Sequence, residues 1–267
     1  MTKLFEDPPP EIAHTAHPAH KLKLVTSDDA HAAPFKCDGC NEPGNGPRYT
    51  CDDCGSSHSR RFDLHTRCAL AESRKDTIEH PLFRNRVFKF RQQPPPPVNG
   101  TICDACGEPA HGFVYHCSEK NKGGGGLDLH PCCATLPERI CKDGHALVLR
   151  PSTSRRCCIC GHRDDGRYWA YRFEGEDGVD DMHVACLKKT AYQIWETAYE
   201  NQYHSGGAQN LHVGLTDIDG LLQICKNSQT SGGLDQFIRI AGSVASIIIA
   251  IIFANPAALI SAIPKKY

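Results

Sequence analysis

The sequence predicts a tandem array of small α+β modules, each of short antiparallel strands plus a short helix stapled by metal, followed by an α-helical C-terminal tail. Three observations carry this expectation. Between residues 37 and 68 the chain spaces sulfur and nitrogen donors as Cys37-x2-Cys40, Cys51-x2-Cys54 and His65-x2-Cys68. Partial copies of that series return twice before residue 187. Beyond it a single cysteine remains, and apolar residues fall at helical spacing.

The donor chemistry comes first. A tetrahedral zinc ion takes four thiolate or neutral imidazole ligands, and a Cys-x2-Cys turn closes two thiolates on one ion without straining the backbone. Six donors between residues 37 and 68 exceed one ion, so two zinc sites are implied. His20 and His80, which flank the stretch, are candidates to complete the second. Disulfide pairing is the competing use of such cysteines, but it gives no reason for His at a fixed offset from Cys.

Composition points the same way. The 267 residues include 16 cysteines and 15 histidines, which favours several very small units over two ordinary domains. A net charge of -1 with 23% charged residues supplies no basic excess to recruit nucleic acid. Met1 to Glu11 is acidic and Pro-rich and lacks the basic and apolar regions of a secretory signal. A reducing compartment is therefore expected, cytoplasmic with membrane-associated or nuclear placement as alternatives, where thiols serve metal binding.

In chain order, four segments are expected: units at 14–80, 81–144 and 145–187, then a tail at 188–267. The phrase around His20-Lys21-Leu22-Lys23-Leu24 predicts a short half-buried strand, and related phrases begin at His80 and His145. Each unit opens with a Cys pair: Cys37 and Cys40, Cys103 and Cys106, Cys157 and Cys160. A turn into a strand follows, at Gly46 to Tyr49, Gly112 to Tyr115 and Gly166 to Tyr168. Each closes on His-x2-Cys after an apolar residue: Leu64, His65 and Cys68; Leu129, His130 and Cys133; Met182, His183 and Cys186. The second Cys pair decays along the chain. Unit two keeps Cys117 with Lys120 for its partner, and Ala170 and Phe173 are taken as the counterparts in unit three. Cys132 and Cys158 are spare thiols beside ligands.

This arrangement resembles the zinc-binding domain of diacylglycerol-responsive kinases, and more closely its plant relative, the divergent C1 (DC1) domain of cysteine/histidine-rich proteins. The resemblance covers roughly residues 14 to 187 and rests on His20-x-Leu-x-Leu, Cys37-x2-Cys40, Tyr49-x-Cys51-x2-Cys54, Phe62-Asp63-Leu64-His65-x2-Cys68-Ala69 and their partial copies. It implies interleaved ligands. The inner sites would be Cys37, Cys40, His65, Cys68; Cys103, Cys106, His130, Cys133; and Cys157, Cys160, His183, Cys186. The first outer site would be His20, Cys51, Cys54 and His80. In unit two Cys117 and Cys141 are available, with His80, His116 or His145 as helpers. Three inner zinc ions plus one or two outer ones are expected.

Units of about fifty residues rich in Gly and Pro bury little apolar surface. Each structural zinc supplies on the order of 10 kcal/mol of apparent binding energy that becomes folding energy. Between units, Arg84, Arg86, Lys89 and Arg91 alternate with Val87, Phe88 and Phe90, which predicts a strand with one basic face, and Pro94 to Pro97 a stiff spacer. Gly123 to Gly126 is a loop without the Gly-Lys-Ser/Thr of a phosphate cradle.

In the tail, Ala191, Ile194, Trp195, Ala198 and Tyr199 predict an amphipathic helix over Leu187 to Tyr203 that packs on unit three. A further short helix is expected at Asp217 to Lys226. Ile240 to Ile263 is apolar and uncharged, broken by Asn255-Pro256. It reads either as a membrane anchor or as a helical hairpin docked on a partner.

A non-enzymatic, zinc-binding adaptor with a protein partner is the expected function, and the resemblance places it in plant intracellular signalling or stress response. A ubiquitin-ligase-type scaffold is an alternative, weakened because no further Cys-x2-Cys follows Cys68, Cys133 or Cys186. A lipid-binding sensor is another. It needs apolar loop tips, and Asn41 to Pro47 is polar, whereas Phe113 and Val114 in unit two are candidates. Glu174, Glu176, Asp177, Asp180 and Asp181 read as a solvated acidic loop.

Overall fold

The computed structural model describes residues 8–26, 34–55, 61–72, 77–96, 100–119, 126–142, 145–163, 166–175 and 178–204. The expected helix at Asp217 to Lys226 and the apolar segment Ile240 to Ile263 lie outside these residues. Among the described residues no helix is long and apolar enough to cross a membrane.

Three four-stranded antiparallel sheets follow one another along the chain. The first holds β1 (Glu11–Ile12), β2 (Leu22–Val25), β5 (Arg48–Thr50) and β6 (Asp63–His65), with a two-stranded ladder of β3 (Phe35–Lys36) and β4 (Pro43–Gly44) beside it. The second holds β7 (Thr77–Glu79), β8 (Val87–Arg91), β9 (Val114–Cys117) and β10 (Leu127–Leu129). The third holds β11 (Arg139–Lys142), β12 (His145–Arg150), β13 (Ala170–Gly175) and β14 (Gly178–His183). Each sheet opens with a strand that starts ahead of residues 14, 81 and 145, the expected unit starts.

Register shows how the copies correspond. Tyr49 lies between Leu24 and Leu64, Tyr115 between Phe90 and Leu129, and Tyr171 between Leu149 and Met182. The third copy of this tyrosine is thus Tyr171, not Tyr168. Counting two residues onward puts Phe173 where Cys51 and Cys117 stand, and Ala170 is one residue before the tyrosine rather than at a lost cysteine. The loop ahead of the second strand shrinks from residues 13–21 to 80–86 and then to 143–144.

Helix content is lower than expected. The first unit carries α1 (Thr66–Ala71) after His65, and the third carries the long α2 (Val184–His204) after His183. After His130 the second has, among the described residues, a 3-10 turn, Cys133–Thr135, in place of an α-helix. Pro137 is the reason: the residue before a proline is pushed out of the helical region, and Leu136 is extended at φ -61, ψ 127. The modules are strand-rich, and among the described residues a helix is not found in every unit.

The units are welded rather than strung. Phe113 is buried in the core of the first unit, with Leu22, Tyr49 and Leu64, and its backbone N–H donates to the Gly39 carbonyl at 2.9 Å. Its ring stacks on His14 at 5.7 Å. One unit later Trp169 repeats the move: its N–H donates to the Ala105 carbonyl at 2.9 Å, and its ring lies 4.6 Å from His80. Gly39 and Ala105 hold the same place inside their Cys-x2-Cys turns. Small residues are required there, since a Cβ on Gly39 would lie 2.4 Å from the Phe113 ring and one on Gly112 only 2.0 Å from the Gly39 carbonyl oxygen. Phe113 and Val114, candidates for an exposed lipid-binding tip, are both buried. Units two and three share a single core that includes Phe88, Leu129, Leu147, Trp169 and Tyr171.

Candidate metal centres

Each opening Cys pair is built on the same hairpin turn. Cys37 N–H donates to the Glu42 carbonyl at 3.0 Å and Asn41 N–H returns to the Cys37 carbonyl at 2.9 Å. Cys103 with Glu108 and Gly107, and Cys157 with His162 and Gly161, repeat both bonds at 2.8–2.9 Å. Closing that turn requires positive φ after the second cysteine. Asn41 adopts 61°, Gly107 75° and Gly161 71°, values that Gly and Asn tolerate at little cost. The strand before the closing His is tied to the first turn by reciprocal bonds, Asp38 with Asp63 and Asp104 with Asp128. In the third unit Cys158 occupies the Asp38 position, and its N–H donates to the Asp181 carbonyl at 3.0 Å.

These turns bring together three sets of four donors: Cys37, Cys40, His65, Cys68; Cys103, Cys106, His130, Cys133; and Cys157, Cys160, His183, Cys186. Within each set all ligand atoms lie within 4.8 Å of one another. His65 Nδ1 is 3.4 Å from Cys40 Sγ and 3.8 Å from Cys68 Sγ. The corresponding distances are 3.4 and 4.0 Å at His130, and 3.7 and 3.8 Å at His183. A tetrahedron with metal–ligand bonds of about 2.0–2.3 Å has edges of about 3.3–3.8 Å, so the sets fit zinc. The described cysteines are thiols, not disulfides.

Hydrogen bonds orient the imidazoles. Nε2 of His65 donates to the Pro43 carbonyl and that of His130 to the Pro109 carbonyl, each at 3.0 Å, which leaves Nδ1 for the metal. His183 Nε2 is buried without such an acceptor among the described residues. Burial pushes the Cys37 thiol up, yet hydrogen bonds from Cys40 and Cys68 and the charge of His65 hold it well below the usual thiol range. Cys103 behaves alike beside Cys106, Cys133 and His130.

A fourth set, found among the described residues in the first unit alone, consists of His17, His20, Cys51 and Cys54. His20 Nδ1 lies 3.5 Å from both sulfurs, and His17 Nε2 lies 3.4 Å from Cys54 Sγ. His17, stacked on Phe62 at 4.5 Å, therefore stands where His80 was expected. His80 is the copy of His14. Each accepts on Nδ1 from the backbone N–H two residues on, Ala16 at 3.1 Å and Leu82 at 3.2 Å, and each lies against the aromatic ring that the next unit inserts. His17 then corresponds to Phe83 and His20 to Arg86. Phe83 packs on Phe88 at 5.5 Å and on Trp169 at 5.7 Å, so aromatic packing fills the outer-site position of unit two.

The remaining candidates are scattered. Cys117 is buried on β9, and half-buried Cys141 accepts from Arg139 Nε at 3.3 Å. Neither belongs to a donor cluster among the described residues. His116 pairs with Asp128 at 2.9 Å, and the side chain of His145 lies outside the described residues. His17 carried a signal in the sequence: with His20 it forms a His-x2-His matching the Cys-x2-Cys it faces.

A family model described as "C1 domain" matches residues 15–69. Over 74 residues the chain is 34% identical to "Probable nucleoredoxin 1" of Arabidopsis thaliana, covering 28% of this chain and 11% of that protein. Over 60 residues it is 38% identical to "Probable nucleoredoxin 2" of Oryza sativa subsp. japonica, covering 22% of this chain and 13% of that one. The chain thus spans little more than a tenth of the length of these relatives. No solved structure matches. With Cys37, Cys40, His65 and Cys68 on one ion position and His17, His20, Cys51 and Cys54 on another, residues 15–69 are a C1 domain of the divergent, zinc-binding type.

Proposed function

We propose that this protein is a non-enzymatic adaptor whose zinc-stapled units present a rigid surface to a protein partner in plant intracellular signalling. The observation that carries the reading is the completeness of the ligand sets. Each of the four groups supplies four Cys or His donors, and a zinc ion with four protein ligands has no position left for water or substrate. Every Cys-x2-Cys pair among the described residues faces a second pair of donors, a closing His-x2-Cys or His17-x2-His20, which supports metal ligation over dithiol exchange. The lipid-sensor alternative loses its apolar tip, because Phe113 is consumed by the contact between units one and two. The matched relatives are plant proteins, in keeping with a plant setting.

Proximity labelling in plant cells tests the proposal. The full chain is expected to mark a discrete set of proteins that a Cys103→Ser variant of equal abundance does not mark. Identical sets, or a ubiquitin ladder made by the purified protein and lost in Cys37→Ser, would overturn it.

A further inference from the structure

Glu42 and Lys188 are buried charges that no zinc-ligand pattern calls for. Glu42 belongs to the first unit and Lys188 to α2 of the third, and they meet at 2.8 Å over the metal centre of the second. Glu42 Oε1 lies 3.4 Å from Nε2 of His130, the nitrogen turned away from the metal. Lys188 Nζ lies 3.5 Å from Cys106 Sγ. It is also 3.4 Å from His130 Nδ1, but that nitrogen faces the ion, so the ammonium donates to the sulfur. Tyr192 OH donates to Glu42, and Cys132 Sγ lies 3.9 Å from the same carboxylate.

We infer that Glu42 and Lys188 complete the second zinc centre from outside, so that the neighbouring units set its affinity. Two zinc charges against three thiolates and a neutral imidazole leave the centre at minus one, in a pocket where all four ligands are buried. The Lys188 ammonium offsets that charge and ties up a lone pair of the Cys106 thiolate. The Pro109 carbonyl already accepts the His130 Nε2–H, and the Glu42 carboxylate, 3.4 Å from that nitrogen, adds its negative charge beside the ring and makes the imidazole a stronger donor. Neither of the other inner centres shows such a pair among the described residues. The Lys188 position, five residues after the closing His, is taken by Leu70 in unit one and by Thr135 in unit two, and the Glu42 position is taken by exposed Glu108 in unit two and by His162 in unit three. The inference rests on zinc occupying the second donor set, and loss of such a partner typically costs about 10- to 100-fold in metal affinity.

The test uses the full chain loaded with ¹¹³Cd, whose resonance reports the ligands of each centre and their hydrogen bonds, together with zinc release to a chelator. Lys188→Met and Glu42→Gln are each expected to move the same one of three Cys3His resonances and to release one ion about 10- to 100-fold faster. Lys188→Arg should restore most of the loss, and the double variant should be no worse than the poorer single one. Tyr192→Phe, which removes only a hydroxyl from Glu42, serves if a single variant does not fold, and should move that resonance less. Unmoved resonances, different resonances in the two variants, or unchanged release would overturn the inference. Fewer than four ions bound to the wild-type chain would instead count against the zinc assignment itself.

Discussion

His80 holds in the second unit the place that His14 holds in the first: each ring lies against the aromatic residue that the next unit inserts, at 4.6 Å from Trp169 and 5.7 Å from Phe113. That equivalence removes His80 from the ligands and shifts the metal count. Four ions per chain are expected, one outer and three inner. By native mass spectrometry His17→Ala should hold three and His80→Phe should still hold four. A three-ion His80→Phe protein would restore that residue to the coordination sphere.

The inner donor sets were legible in the sequence because a metal turn is local: Cys-x2-Cys and His-x2-Cys fix two donors each, and only their pairing needs the fold. Of the outer set, His20, Cys51 and Cys54 were legible in the same way and the fourth donor was not, because three histidines, His14, His17 and His20, share one short loop and only backbone placement tells ligand from packing residue. Lys188 and Glu42 left no trace, being 146 positions apart with nothing periodic to join them. The missing helix of unit two was foreshadowed by Pro137. Asp181 was misread outright. In a run of acidic residues it looked solvated, yet it is fully buried on β14, while Asp180 beside it is exposed, as alternation along a strand requires.

Burial pushes His80 down to about 4, which gives it a pH signature. The folded state keeps the ring neutral, so as pH falls below about 6.5 the unfolded chain takes up the proton first. Its contribution is intact above that value and is lost progressively toward pH 4. Each pH unit in this window costs up to about 1.4 kcal/mol. Between pH 7.5 and 5.5, zinc-saturated His80→Phe should gain about 1 kcal/mol on wild type in urea denaturation. Parallel losses in the two proteins would show that His80 does not titrate in this way.

Phe113 joins two units through one side chain, so truncating it separates them. Phe113→Ala should cost about 3–5 kcal/mol and split a single unfolding transition into two, with all four ions retained. Gly39→Val should act similarly from the other side, since its side chain would overlap the Phe113 ring. A single transition with an unchanged midpoint would mean that the units are held together elsewhere.

Asp181 supplies the last expectation. Its carboxylate accepts from Arg172 Nε at 2.8 Å and Nη2 at 2.9 Å, and from the Thr153 hydroxyl. Its backbone carbonyl accepts from Cys158 N–H, and Cys157 bridges to it as well. The residue thus fastens the first metal turn of the third unit to the strand that carries His183. Burial pushes the carboxyl up, but Arg172 and Thr153 outweigh it and hold it below the ordinary range. The stability it adds is therefore present above the usual carboxylate pKa and is lost as pH falls through its lowered one. Breaking a buried pair from one side typically costs about 3–5 kcal/mol. Asp181→Asn is expected near the lower figure because Arg172 remains partly exposed. Asp180→Asn, on the solvent side, should stay within about 0.5 kcal/mol. In chelator challenge Asp181→Asn should also release the zinc of the third centre first, because the carboxylate's ties to Thr153, which leads into the Cys157 turn, and to Arg172 on β13 are weakened while only the backbone contacts to Cys157 and Cys158 remain. Equal release from wild type and variant would show that the metal, not Asp181, positions that turn.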